Sequence, residues 1–302
     1  MQKEVTMKIA ITGSTGLIGS ALCEHLRSKG HSILRLQRKR SSLDGESIYW
    51  KPSESVLDSD SLEGIDAAVH LAGENLFGLW TQSKKQRIMQ SRIMGTALLS
   101  NAMAGLKAQP KVLISASAIG YYGHRPDAWV NEESQNGDGF LAEVCREWEK
   151  AADPAREAGI RVVHPRIGLL LSKNGGALKI MLPVFKAGLG AKLGSGNQMW
   201  SWIAIDDVIH ALAFLLESKE ARGPVNLVAP NPVTNKEFTK TLGKVLHRPT
   251  LFFVPTPLME FAAGEMAQET MFSSQAVQSK RLAEWGYSFK YKELKTALSD
   301  LT

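Results

Sequence analysis

The strongest constraint on this chain is the run Lys8-Ile-Ala-Ile-Thr12 followed by Gly13, Gly16 and Gly19 at GxxGxxG spacing. The short apolar run predicts a buried strand. Leu17 to Ser28, with Ile18, Leu22, Cys23 and Leu26 at helical spacing, predicts a helix that opens inside the glycine loop. Gly30 stands where such a helix ends. The first glycine allows the turn, the second admits an anion close to the backbone, and the third lets helix and sheet approach. Unpaired N–H groups at the helix start, aided by its dipole, attract that anion. Three glycines also occur in ordinary strand-turn-helix units. With the strand before and the helix after, the loop reads as a dinucleotide pyrophosphate cradle, with Thr12, Gly13, Thr15, Gly16, Leu17, Ile18 and Gly19 as contacts.

The same strand signature returns at His31 to Gln37, Ala67 to Leu71, Lys111 to Ser115 and Arg161 to His164, each expected to follow a helical stretch. Five alternations predict an α/β fold with a doubly wound parallel sheet of Rossmann type. After about Leu171 the pattern changes. Lys173 to Gly196 is glycine-rich and interrupted by Pro183, and Val254 to Pro257 carries two prolines. A smaller C-terminal α/β substrate-side subdomain is expected, divided as 7–170, 171–250 and 251–302. Asp206 to Glu217 and Lys236 to Leu246 read as amphipathic helices, and Ser279 to Trp285 and Tyr291 to Leu301 as further helices.

A net charge of +6 with basic and acidic residues interspersed points away from nucleic acid. Cys23 and Cys145 are the only cysteines and lack CxxC spacing, so neither a disulfide framework nor a metal site is expected. Met1 to Thr6 is too short and polar for a signal peptide, and no apolar run approaches the roughly 18 residues of a membrane span. A soluble cytoplasmic protein with a small-molecule partner and no membrane partner is the expectation, and a homodimer is left open.

The end of the second strand selects the cofactor. An acidic residue there would hold the ribose hydroxyls of NAD, whereas this chain has Gln37, Arg38, Lys39 and Arg40, with Arg35 just before and no carboxylate until Asp44. These cations suit a 2′-phosphate, so NADP(H) is expected. The same residues also fit a solvated basic turn.

Thr12-Gly-Ser-Thr-Gly-Leu-Ile-Gly19, Asp66-Ala-Ala-Val-His-Leu-Ala-Gly73 and Tyr121-Tyr-Gly123 together resemble the extended short-chain dehydrogenase/reductases. Leu71-Ala-Gly-Glu-Asn75, Ser91-Arg92 with Gly95-Thr96, Gly188-Leu-Gly190, Gly194-Ser-Gly196 and Trp202 to Asp207 resemble more narrowly their YfcH-type epimerase-like branch. Gly264-Glu265, Ser274-Gln275, Arg281-Leu282 and Gly286-Tyr287 resemble the small DUF1731-type domain appended there. The resemblance implies that Leu71, Ala72 and Gly73 lie along the adenosine side. It also brings Arg92, Arg87, Ser115, Arg166 and Leu170 toward the cofactor. Arg92 stands where the wider family has asparagine, and it reads equally as a phosphate ligand or a surface helix residue.

Such enzymes pair a serine with a YxxxK helix, in which lysine lowers the tyrosine pKa and the phenolate exchanges a proton as hydride moves. Ser117 matches the serine. At the helix, Phe140 and Val144 replace tyrosine and lysine. Tyr121 and Tyr122 are the candidate stand-ins, with Glu143 and Arg146 behind them. His70 reads as a satisfied core residue, and Asp206-Asp207 as N-terminal capping and dipole complement of a helix. On the substrate side, Arg166, Lys186 and Lys192 could engage an anion, with Gln198, Trp200 and Trp202 as walls; the tryptophans also fit a core role. The expected function is an NADP(H)-binding epimerase or oxidoreductase with a small substrate, for which the resemblance implies a sugar derivative. The alternative is a catalytically impaired NADP-binding regulator or scaffold, of the kind whose relatives are linked by name to cell division.

Overall fold

A computed structural model describes residues 6–40 and 44–302 of the chain. In chain order the first half comprises β1 (Lys8–Thr12), α1 (Leu17–Ser28), β2 (Ser32–Gln37), β3 (Ser47–Lys51), β4 (Val56–Leu57), β5 (Ala67–His70), α2 (Gln82–Ala104), β6 (Val112–Ser115), β7 (Ser117–Ala118), β8 (Arg125–Val130), α3 (Phe140–Lys150) and α4 (Asp153–Glu157). The second half comprises β9 (Arg161–Ile167), β10 (Leu169–Ser172), α5 (Gly176–Lys186), β11 (Ala191–Leu193), β12 (Met199–Trp200), β13 (Trp202–Ala204), α6 (Ile205–Glu217), β14 (Gly223–Leu227), β15 (Val233–Thr234), α7 (Asn235–Val245), β16 (Phe252–Val254), α8 (Thr256–Ala263), β17 (Gln275–Val277), α9 (Lys280–Glu284) and α10 (Leu294–Leu301).

The central sheet runs β14-β9-β6-β5-β1-β2-β3-β4 and is parallel throughout except for β4 at its edge. Successive residues of β1 face opposite sides. Ile9 and Ile11 join α1 and α6 through Leu22, Leu26 and Leu212, while Ala10 joins Leu99 and Met103 of α2 and Ala155 of α4. Each fully buried aliphatic side chain contributes about 1.5–3 kcal/mol. Helices on both faces thus confirm the doubly wound α/β class. The chain runs outward from β1 to β3 on one side, then from β5 to β14 on the other. The order reverses between β1 and β5, so a crevice opens at their carboxyl ends.

Three expectations change. What precedes Ala67 is not a helix but β3, β4 and single 3₁₀ turns at Pro52–Glu54 and Asp60–Leu62. Trp50, 2% exposed, anchors β3 in the core, and β3 pairs with β2. Pro183 does not interrupt the glycine-rich segment: α5 continues through it, because this proline lies on the exposed side where a missing N–H is tolerated. The two aspartates stand in the first turn of α6, where they complement its dipole, but neither caps it. Asp207, 1% exposed, instead accepts hydrogen bonds from the backbone N–H of Lys290 (2.7 Å) and Tyr291 (3.0 Å) and from the Tyr287 hydroxyl (3.3 Å). Burial raises its pKa above the ordinary carboxylate value, against those hydrogen bonds. Asp206 pairs with Lys290.

A third apolar cluster joins α5, α7 and α10 through Leu178, Phe185, Phe238 and Leu298. Among the described residues no helix is long and apolar enough to cross a membrane, and no cluster of three metal-ligating side chains occurs.

Candidate cofactor and active site

The glycine loop sits at the topological switch. The Thr12 side chain is fully buried, and its oxygen lies 2.8 Å from His70 Nδ1 while accepting from the N–H groups of Leu71 (3.1 Å) and Ala72 (3.2 Å). Thr12 therefore shapes the loop from within the protein, and its hydroxyl does not face a ligand. Gly13 has φ +67°, and a Cβ there would meet Ala72 N and the Leu71 carbonyl carbon at 2.9 Å. A Cβ on Gly19 would stand 2.1 Å from the Gly13 oxygen. The loop is thus pressed between β5 and α1 by residues that must lack side chains. Thr15 and Gly16 are exposed, and α1 opens with neither a side-chain cap nor a first-turn acid. Its first amide groups, at Leu17, Ile18 and Gly19, are left to an outside acceptor.

At the end of β2, Gln37 is buried and Arg38, Lys39 and Arg40 are exposed. Arg35 is tied to Asp44, and the Arg40 guanidinium lies 4.3 Å over the Tyr49 ring. Arg38 has no carboxylate partner among the described residues. Across the crevice Leu71 and Ala72 are half-buried and Gly73 is exposed.

Arg92 reaches toward Gly73 from α2. It is 9% exposed, stacks 5.0 Å over Trp148, and donates to the carbonyl oxygens of Glu74 and Ile88, both at 3.1 Å, with no carboxylate in ion-pair contact. Burial holds its pKa below the ordinary guanidinium value. The surface-helix reading fails for Arg92. It describes Arg87 instead, which is exposed, bonded to Ser83 and 3.7 Å from Glu74.

Beyond β6 lies a buried polar network. Glu149, on α3, accepts from the Ser117 hydroxyl at 2.7 Å and from Arg166 Nε and a terminal nitrogen, both at 2.8 Å. Arg166 also donates to the Tyr122 hydroxyl at 3.0 Å, and that hydroxyl donates to Asn226 at 2.7 Å. Burial opposes the Arg166 cation, but Glu149 outweighs it and the pKa is held above its ordinary value. With its charge neutralised and 2% exposure, Arg166 is not available to a substrate or cofactor anion, which corrects both roles expected of it. Tyr122 is wholly buried and its pKa is pushed up to about 12, mainly by burial, so it is no stand-in acid. Tyr121 differs. It is half-buried, its ring lies 3.4 Å from the Arg166 guanidinium, and its hydroxyl has no hydrogen-bond partner among the described residues. Ser115 is fully buried without a partner for its hydroxyl, too deep for ligand contact.

Glu149 was missed in the sequence although a signal existed: it lies one turn after Cys145 on the buried side of α3. Glu143 and Arg146 are exposed and stand apart from this network. Phe140 packs edge-on to Trp80 at 5.2 Å with Lys85 Nζ 4.5 Å over its ring. Two further carboxylates come from late in the chain. Glu265 pairs with Lys85 at 2.7 Å, and Glu269 accepts from the N–H groups of Phe140 and Leu141, both at 3.0 Å. Glu269 supplies the opening of α3 with a cap from outside the helix.

A model of the NAD dependent epimerase/dehydratase family matches residues 9–228, and one of a domain of unknown function, DUF1731, matches 254–301. The chain belongs to the NAD-dependent epimerase/dehydratase family. An epimerase family protein of Mycobacterium bovis is 42% identical over 295 residues, 97% of either chain. A chloroplastic epimerase family protein of Arabidopsis thaliana, a homologue of SDR39U1, is 39% identical over 310 residues, 98% of this chain and 87% of the other. The crystal structure of human epimerase family protein SDR39U1 (isoform 2) with NADPH has a TM-score of 0.89 at 32% identity, covering 98% and 99% of the two chains. A likeness to the UDP-N-acetylglucosamine 4-epimerase of Bacillus cereus, TM-score 0.76 at 19% identity, concerns the fold.

A nicotinamide dinucleotide, the cofactor of this epimerase family, fits the residues present: a compressed glycine loop, open amide groups and a nearly buried guanidinium with no carboxylate in ion-pair contact among the described residues. The substrate walls do not survive. Trp202 is fully buried and donates to the Asn231 oxygen at 2.9 Å; Trp200, 7% exposed, donates to the Met271 oxygen at 3.2 Å and packs on Phe238. Gln198 also binds backbone, at Leu193 and Met271. These three are core residues holding the late segment in place. Lys192 donates to the Gly194 and Ser195 oxygens and Lys186 is exposed at the end of α5, so neither joins Arg166. Leu170 is half-buried against the first core cluster, and Gly175 presses on Leu17 beside the glycine loop, where a Cβ would meet the leucine at 2.9 Å.

Proposed function

We propose that this chain binds NADP(H) and uses it in an oxidoreductase or epimerase reaction on a small molecule, with Tyr121 as the proton-exchanging group. The observation that carries the cofactor choice is the end of β2, where Arg38 is exposed beside the open glycine loop with no carboxylate partner among the described residues. The human relative crystallised with NADPH supports it. Thr12, Gly13 and Gly19 shape the cradle, Thr15 and Gly16 with the amide groups of Leu17 and Ile18 face the pyrophosphate, and Arg38 with Lys39 faces the 2′-phosphate. Arg92 supplies a desolvated positive charge near Gly73. The bound cofactor would supply or accept hydride.

Phe140 has no proton to exchange. Of the remaining phenols, Tyr122 is sealed in the network, and Tyr121 has a hydroxyl with no hydrogen-bond partner among the described residues and a ring centred 3.4 Å from the Arg166 guanidinium. Ser117 orients Glu149, Glu149 holds the Arg166 guanidinium, and that guanidinium positions Tyr121. No observation favours the regulatory alternative.

The reading is tested in two steps: NADPH binding followed by energy transfer from tryptophan, then NADPH oxidation against a panel of carbonyl compounds. Tyr121→Phe is expected to bind NADPH as the parent does and to lose at least about 100-fold in kcat, the lower end for a general acid. Unchanged turnover in Tyr121→Phe would reject the role of that hydroxyl, and failure of the parent to bind NADPH would reject the function.

A further inference from the structure

Far along the chain from the glycine loop, the surface carries large apolar side chains that nothing covers. On α5, Ile180 and Val184 stand one turn apart and are 59% and 47% exposed, and Leu189 follows at 57%. Beside them Leu251 is 85% exposed and Phe252 and Phe253 more than half exposed. On α8, Leu258 and Phe261 share a face, Phe261 at 89%. The end of α5 and the Leu251–Phe253 stretch are held side by side, and α8 follows β16 in the chain. β11 pairs with β16 in the register Ala191 to Phe252, Arg248 Nε donates to the Lys186 oxygen at 2.8 Å, and Gly188 lies against Pro249.

The charge around this surface is predominantly basic. No Asp or Glu occurs from Ala158 to Ile205, or from Phe238 to Met259. The exposed Lys179, Lys186, Lys240, Lys244 and Arg248 border the apolar residues. Glu260, the acid within α8, is half-buried and accepts from Gln268. Next to Leu251, a shallow recess of about 570 Å³ is lined by Lys240, Lys244, His247 and Arg248.

We propose that this face docks on the surface of an anionic phospholipid bilayer, the apolar tips entering the headgroup boundary and the basic recess taking a lipid phosphate. Protruding aromatic and aliphatic side chains ringed by lysines partition into such an interface. A second copy of the chain fits less well, because a two-fold interface sets the patch against itself and brings lysine against lysine. Nearly complete exposure of Leu251 and Phe261 also suits insertion into lipid better than a preformed protein contact. The expectation of no membrane partner rested on the absence of a spanning segment, and surface docking needs none. From α8 the chain runs directly to Glu265 and Glu269 beside Phe140, so docking would bring the candidate site close to the lipid.

Flotation of the full chain with phosphatidylcholine vesicles, with and without phosphatidylglycerol, tests this. Binding is expected only to vesicles containing phosphatidylglycerol and should weaken as salt is raised. Lys179→Gln and Lys186→Gln should each lower partitioning about fivefold. Phe253→Ser combined with Phe261→Ser should lower it at least about tenfold by removing inserted area. Retained NADPH affinity in each variant shows that the fold persists. Equal association with neutral vesicles, or none with either kind, overturns the proposal. So does a doubled mass by light scattering, without vesicles, that the phenylalanine variants abolish.

Discussion

His70 and His164 are fully enclosed imidazoles at the heart of the sheet. Burial, with the nearby Arg92 charge, drives the pKa of His70 down to about 3, and burial drives that of His164 to about 4. Both are neutral in the fold at pH 7, whereas in the unfolded chain each takes up a proton near pH 6.5. The unfolded state therefore binds more protons as pH falls. Their contribution is fully present above about pH 6.5 and is lost as pH drops toward 4 and 3. Unfolding free energies from urea titrations between pH 7 and 5 should fall, by up to about 1.4 kcal/mol per pH unit for each histidine. His70→Asn should remove its share of that slope, and an unchanged slope would contradict the assignment. The core role of His70 was legible from its place in an apolar strand, but the ring is only half satisfied, its Nε2 having no hydrogen-bond partner among the described residues. The buried network was not. Glu149 and Arg166 look like surface residues in sequence, and only the meeting of α3 with β9 puts them in a bidentate pair.

The unit from β1 to α1 was legible because each of its devices is local: an apolar strand, glycines at fixed spacing, and a helix end at Gly30, whose φ is +85°. Its tolerance to substitution should be graded by geometry. Gly19→Ala places a methyl 2.1 Å from a backbone oxygen and should abolish NADPH binding, whereas Gly16→Ala meets that oxygen only at 3.2 Å and should leave the fold intact. Thermal unfolding with a cofactor titration separates them, and equal effects would contradict the compressed-loop account. β3 was missed because Tyr49-Trp50 lies in a short run with polar neighbours, where pairing with β2 decides the conformation more than local propensity does. The opening of α3 was equally opaque, since its cap comes from Glu269, well over one hundred residues away.

At the scale of the molecule, the last segment is held by single side chains bonded to distant backbone. The Ser201 hydroxyl bridges the Gln275 oxygen and the Val277 N–H, at 2.7 and 2.9 Å, and Asp207 fixes residues 287–291. Such links leave no periodic mark, which is why the doubly wound sheet was readable and the attachment of the C-terminal elements was not. Replacing Asp207 by alanine removes a charged acceptor from two backbone amides, that of Tyr291 buried, and should cost about 3 kcal/mol. Limited proteolysis should then cut within the final residues first, and unchanged resistance would contradict this attachment.

The central claim is that the loop from Thr12 to Gly19 and the basic end of β2 form one site for a phosphorylated dinucleotide. Parallel titrations of the parent and Arg38→Glu with NADPH and NADH test it most directly. The parent should prefer NADPH. The variant should lose NADPH affinity by about 1.5–3 kcal/mol, the size of a charge-assisted contact, with NADH affinity little changed. Equal losses for the two cofactors, or a parent that binds neither, would contradict it.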